Sequence, residues 1–142
     1  MEKISNMKEV YWNKMVPELT VKDFMTSLNF YTGVLGFSIR IQRTEPNFAY
    51  ICLGEAQLML EEYHSSGWNI ANLVRPLGCG VNFQIEVDNV EKIFNRVVEN
   101  DITLYRALTD NFYSIGHEKA CQREFLIQDP DGYLLRFSQY IE

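Results

Sequence analysis

The sequence predicts an α+β fold of two βαβββ modules, whose sheets curl together into a cupped, open, barrel-like surface with the helices outside. Three observations carry this. Apolar residues follow the order strand, helix, three strands, and then follow it again. The strand-to-helix junction Val21-x-Asp23 returns as Val87-x-Asn89 in the same register, so an internal duplication is visible. No Ser-rich, Pro-rich or low-complexity stretch interrupts the 142 residues, and 46% of them are hydrophobic, enough for one compact core.

In the first module, Val16 to Val21 alternates as a strand does, and Asp23 opens a helix with Phe24, Leu28, Tyr31 and Leu35 along one face. Gly36 just past the last turn stops it. Three β-rich runs follow, Phe37 to Arg43, Phe48 to Leu53 and Gln57 to Glu62, parted by turns at Glu45-Pro46-Asn47 and Gly54-Glu55. In the second module Val81 to Val87 is a strand, and Asp88 with Glu91 three residues on reads as a capping box. Val90, Ile93, Phe94 and Val97 then give an apolar stripe. Thr103 to Leu108, Arg123 to Gln128 and Tyr133 to Tyr140 complete the module, the last two joined by a tight Asp129-Pro130-Asp131-Gly132 turn. The organisation is an N-terminal extension (1–14) and one domain (15–142), with module one at 15–64, a linker at 65–80 and module two at 81–142.

Composition narrows the partners. A net charge of −6 with no Lys/Arg cluster disfavours nucleic acid and leaves room for a cationic ligand. The N-terminus MEKISNMKEVYWNK has no apolar signal core, and no window approaches the ~20 apolar residues a membrane span needs, so a soluble, cytoplasmic protein is expected. Cys52, Cys79 and Cys121 form no Cys-x-x-Cys pair, which argues against a disulfide framework or thiolate zinc. Each is read as buried apolar filler, with a catalytic thiol as the alternative.

Several segments resemble the glyoxalase/bleomycin-resistance/extradiol-dioxygenase (vicinal oxygen chelate) superfamily in order and spacing, over roughly Met15 to Glu142. They are Val16-Pro17-Glu18-Leu19-Thr20-Val21-Lys22-Asp23, Phe30-Tyr31 with Leu35-Gly36-Phe37, Gln57-Leu58-Met59-Leu60, and Gln122-Arg123-Glu124-Phe125 before Asp129-Pro130-Asp131-Gly132. Pro17 in the first strand and Arg-Glu-Phe ahead of the Asp-Pro turn are similar to bleomycin-resistance proteins. That likeness implies the glyoxalase/bleomycin-resistance fold and a homodimer that exchanges its first strand. A Pro, which cannot donate to a ladder, fits a crossover, with the start of an edge strand in a monomer as the alternative.

Metalloenzymes of the superfamily hold a divalent ion with His or Glu from four strand positions. Carried over one by one, these fall on Val16, Met59, Asn82 and Arg136. None is an ordinary ligand, and Arg136 sets a fixed positive charge where a cation would sit. A one-residue slip would bring in Glu18 or Glu61, but would also turn a side chain to the other sheet face. No cofactor and no catalytic residue is therefore expected. His64 and His117 both read as loop residues, the latter bordering the groove that bleomycin-resistance proteins use.

The resemblance then implies metal-independent sequestration of a small molecule, a cationic or aromatic antibiotic for example, in a dimer groove. The expected ligand-binding residues are Phe48, Tyr50, Trp68, Phe112, Tyr113 and His117, the last three placed in a long loop of module two. Core packing is the alternative for each aromatic, and Cys121-Gln122 departs from the aromatic-Gly pair of the family. Glu61, Glu86 and Glu118 are candidates to meet a cation. A metal-dependent enzyme of the same fold and a non-catalytic regulatory module remain the other two readings.

Overall fold

The structure, a computed structural model, describes residues 11–142. Residues 1–10 of the expected extension lie outside the described residues. The remainder is α+β: two four-stranded mixed sheets and two helical segments, open rather than closed into a barrel, as the sequence predicts.

Sheet one holds β1 (Glu18–Val21), β2 (Ser38–Arg43), β3 (Phe48–Leu53) and β4 (Ala56–Glu62) in the order β1-β4-β3-β2. Sheet two repeats that order with β5 (Asn82–Glu86), β6 (Leu104–Ile115), β7 (Glu118–Gln128) and β8 (Leu134–Ile141), as β5-β8-β7-β6. In both, the first strand runs parallel to the last and the others pair antiparallel. A parallel partner demands a crossover, which is why a helix follows β1 and β5.

Helix α1 (Phe24–Asn29) starts as expected: the Asp23 side chain accepts the Thr26 N–H at 3.1 Å. It does not continue as one α-helix to Leu35. Phe30–Val34 is a π-turn, closed by Leu35 N–H on the Phe30 carbonyl, because the Thr32 hydroxyl takes the Leu28 carbonyl at 2.7 Å. The extra residue lets adjacent Phe30 and Tyr31 both be buried. Helix α2 (Val90–Glu99) corrects the expected cap. Asn89, not Asp88, accepts the Lys92 N–H at 3.2 Å, and Glu91 reaches Arg123 instead of closing a box. Asp23 and Asn89 thus occupy matching positions, in line with the duplicated junction.

One core joins both halves: Leu19, Val21, Ala49, Ile51, Leu58 and Leu60 under α1, and Ile85, Phe125, Ile127, Leu135 and Phe137 under α2. Phe125 stacks on Phe137 with centroids 5.4 Å apart and meets Phe94 edge-on.

The Asp129–Gly132 turn does more than reverse the chain. It enters the junction between β1 and α1, where Asp131, only 1% exposed, accepts Ser27 Oγ, the Lys22 N–H and Arg75 Nη2. Asp129 accepts the Tyr31 hydroxyl at 2.7 Å and the N–H groups of Asp131 and Tyr133. Burial raises its carboxyl to about pKa 6 despite those donors. Gly132 (φ +103) is required there, since a Cβ would stand 2.7 Å from Pro76 Cα.

The largest departure from the sequence reading is β6–β7. The region 109–122, placed in a loop, is a two-stranded ribbon paired from Thr109↔Glu124 to Ile115↔Glu118. Both of its faces are largely exposed, so the one-sided alternation that reveals a strand is missing.

Candidate functional site

Alternation turns every second residue of each sheet away from its helix. On sheet one, Glu18, Met59, Tyr50 and Ile41 form one row of this helix-free face, and Thr20, Glu61, Phe48 and Arg43 the next. Sheet two matches them with Gln84, Arg136, Leu126 and Arg106, then Glu86, Ser138, Glu124 and Thr109. Register therefore equates Met59 with Arg136 and Phe48 with Glu124.

The second face holds an open hollow of about 410 Å³ walled by Asn82, Arg106, Phe112, Tyr113, Glu124 and Arg136. Its centre is Glu124, 3% exposed. Glu124 Oε1 accepts Asn111 Nδ2 at 2.9 Å and the Tyr113 hydroxyl. That bond, ahead of burial, raises the Tyr113 phenol above its usual range. Glu124 Oε2 has no hydrogen-bond partner among the described residues, nor has Arg136 Nε, which stands 4.0 Å from it. Arg136 is held back by Gln84, whose Oε1 accepts Nη2 and whose Nε2 donates to Ser138 Oγ at 3.1 Å. A buried carboxylate oxygen and a guanidinium N–H left unmatched are costly in isolation, and a group that satisfies both gains what they lack. Gln122 Oε1, on the same face, is also unmatched.

Of the six expected ligand-binding residues, only Phe112 and Tyr113 border this hollow. They do so from β6, not from a loop, and Phe112 is 67% exposed. His117 sits at the exposed tip of the β6–β7 ribbon, beyond Ile115. Trp68 is 94% exposed in the linker. Phe48 and Tyr50 do lie on the first helix-free face but are buried, Phe48 under the Arg43 guanidinium (4.1 Å) and Tyr50 against Trp12. The six therefore do not form one cluster. Sequence reasoning passed over Glu124, Asn111 and Gln84, which pairing across the sheet brings to one face.

The four positions where a divalent ion is expected carry a hydrocarbon (Val16), a thioether (Met59), an amide (Asn82) and a guanidinium (Arg136). This donor set does not fit a hard or borderline cation, and Arg136 already engages Gln84 and faces Glu124. Glu18 and Glu61 share the face with Met59, contrary to the expectation that a slip would turn one of them away. Burial and the neighbouring Glu61 raise the Glu18 carboxyl, while His64 stands 3.4 Å from Glu61. Among the described residues no three His, Cys, Asp or Glu side chains converge as a metal centre. Glu86 and Glu118 are exposed. Cys52 and Cys121 are half-buried and Cys79 is exposed, so the filler reading fails for Cys79. Among the described residues no helix is long and apolar enough to cross a membrane.

Comparison with known proteins agrees with this geometry. The family model for the glyoxalase/bleomycin resistance protein/dioxygenase superfamily matches residues 15–137. The chain is 26% identical over 136 residues to a bleomycin resistance protein of Geobacillus stearothermophilus, covering 89% of this chain and 96% of that one. Its fold is similar to that of TioX from Micromonospora sp. ML1 (TM-score 0.70, 18% identity, 92% of this chain and 100% of that one). It is also similar to a virulence protein from Salmonella typhimurium (TM-score 0.66, 22% identity, 93% and 100%). Two repeated four-stranded sheets, a shared register and a family match across most of the length lead to one assignment: the chain belongs to the glyoxalase/bleomycin resistance protein/dioxygenase superfamily.

Proposed function

We propose that this protein binds and retains a small organic molecule without a metal and without converting it. The observation that carries the reading is Glu124: a buried carboxylate with one oxygen unmatched, opening on a hollow beside Arg136 at a position where metalloenzymes of the family need a ligand. Such a site offers shape, stacking on Phe112 and Tyr113, and charge-assisted hydrogen bonds, and it supplies no nucleophile–base pair. The unmatched acceptors of Glu124 and Gln122 favour a ligand that carries N–H donors, and a protonated amine or amidine most of all. Bleomycin is the first ligand to try, given the name of the relatives.

The working form is a homodimer in the cytoplasm. β2 is an edge strand that exposes Ile39 and Ile41, an apolar margin that a second copy would cover, and the three cysteines are free, as a reducing compartment requires. First-strand exchange would be read from the same dimer, by disulfide trapping across β1 and the partner's β4.

The test is isothermal titration of EDTA-treated protein with metal-free bleomycin, followed by chromatography of the recovered ligand. Saturable binding indifferent to EDTA, unaltered ligand and at least tenfold weaker binding by Glu124→Gln are expected. Affinity that disappears with EDTA, or no heat with bleomycin or with a panel of cationic glycopeptides, would remove the proposal. Light scattering reads the dimer in the same samples.

A further inference from the structure

The helix-free face of sheet one is not open. The chain's own Tyr11-Trp12-Asn13 lies across it, and the contacts are specific. Trp12 meets Tyr50 edge-on, with centroids 4.9 Å apart, and the Arg40 guanidinium lies over the indole, 5.1 Å from its centre. Gln57, 4% exposed, reads the backbone on both sides of the tryptophan: Nε2 donates to the Tyr11 carbonyl at 2.6 Å, and Oε1 accepts the Asn13 N–H at 2.9 Å. Arg40 Nη1 also donates to the Tyr11 carbonyl, the Tyr50 hydroxyl donates to Gln57 Oε1, and Asn13 Nδ2 donates to the Glu55 carbonyl at 3.0 Å.

Each of these groups belongs to the sheet and would exist without the strap. A primary amide facing a peptide carbonyl and a peptide N–H, beside a phenol that meets an aromatic ring edge-on and a guanidinium that lies over that ring, is a complementary surface for an aromatic residue in an extended amide backbone. Removal of the strap takes both backbone partners from the Gln57 amide and leaves it only the Tyr50 hydroxyl, which favours refilling of the face.

We propose that this face is a second binding site, separate from the hollow on sheet two, that recognises an aromatic side chain flanked by amides, and that residues Tyr11 to Asn13 are its internal occupant. An aromatic amide ligand enters by displacing Trp12 from Tyr50. The site stands or falls independently of the Glu124 hollow, which shares none of these residues.

The full-length protein tests this with N-acetyl-phenylalaninamide, which carries one aromatic ring between two amides and does not fluoresce as tryptophan does. In a Trp68→Phe protein, Trp12 is the sole tryptophan of the chain. Its emission should shift to the red and saturate as the probe displaces it into water. Trp12→Ala should bind the same probe at least tenfold more tightly by calorimetry, and Tyr50→Ala added to it should return the affinity to the wild-type level or below. An emission spectrum unmoved up to the solubility limit of the probe, or equal affinity in wild type and Trp12→Ala, would overturn the proposal. The fluorescence arm uses an exposed-site substitution only, so it decides the matter even if the double variant does not fold.

Discussion

The two modules share a strand order, a register and a capped helix, yet treat the same sheet face in opposite ways. Module one places Phe48 and Tyr50 there and closes the face with the strap and two arginines. Module two places Glu124 at the position of Phe48 and Arg136 at that of Met59, and leaves the face open beside a long ribbon. Duplication fixes the scaffold and leaves the inward residues free to diverge, so function in this fold resides in which residue occupies each row and not in the fold itself.

The largest effect that can break the comparison is expected from Arg136→Met. Glu124 would be left as a buried carboxylate without the guanidinium that stands 4.0 Å from it, at a cost of about 3–5 kcal/mol in urea unfolding. Adding Glu124→Leu should recover most of that loss, because the pair would then be apolar on both sides. Equal stability of wild type and Arg136→Met would mean that the two groups do not interact, and the polar centre of the open face would be an accident of packing.

The next effect concerns the turn by which module two enters module one. Asp129 has a folded pKa of about 6 against an unfolded value near 3.8. The native state therefore holds the proton more tightly. The stabilising contribution is complete below about pH 4 and is lost as pH rises through about 6, on the order of 3 kcal/mol across the window. Urea midpoints taken from pH 4 to 7 should fall for the wild type relative to Asp129→Asn; parallel curves would show that the carboxyl is not held protonated by burial.

Smaller and symmetrical effects are expected at the caps. Asp23→Ala and Asn89→Ala should each cost about 1 kcal/mol, while Asp88→Ala stays within about 0.5 kcal/mol of wild type. A larger loss at Asp88 than at Asn89 would restore the capping box and undo the matched register of the two junctions. Least of all for the fold should be Phe112→Ala, within about 0.5 kcal/mol in stability because the ring is 67% exposed. For a ligand that stacks on it, the same change should weaken binding by about 1–3 kcal/mol. Unchanged affinity would take the ribbon out of the site.

Much of this plan is readable from residue order. The apolar period of Phe24, Leu28, Tyr31 and Leu35, the alternation along Val16 to Val21 and the repeated Val-x-Asx junction specify both modules, since each reflects a local rule about which side of an element faces the core. Their strand limits shift by one or two residues only, apart from β6–β7. The site was less legible, for three different reasons. Residues 109–122 alternate between two wet faces, so they carry no period. Glu124 looks like any solvated carboxylate until Asn111, Tyr113 and Arg136 are brought beside it by pairing across the sheet. Tyr11-Trp12-Asn13 precedes the first strand, and its partner Gln57 lies more than forty residues away, a contact that no local window contains.

The inserted turn has a further consequence for how the halves came to depend on each other. Gly54, at the corresponding bend between β3 and β4, has open space where its side chain would be, whereas Gly132 is pressed against Pro76 and Leu77. A side chain at the bend should thus cost less in the first half, where only the backbone conformation resists it, than in the second, where Pro76 and Leu77 also fill the space. Module two wedges a finger into its neighbour, through Asp129 on Tyr31 and Asp131 on Ser27 and Lys22, so the two halves should melt as a single body.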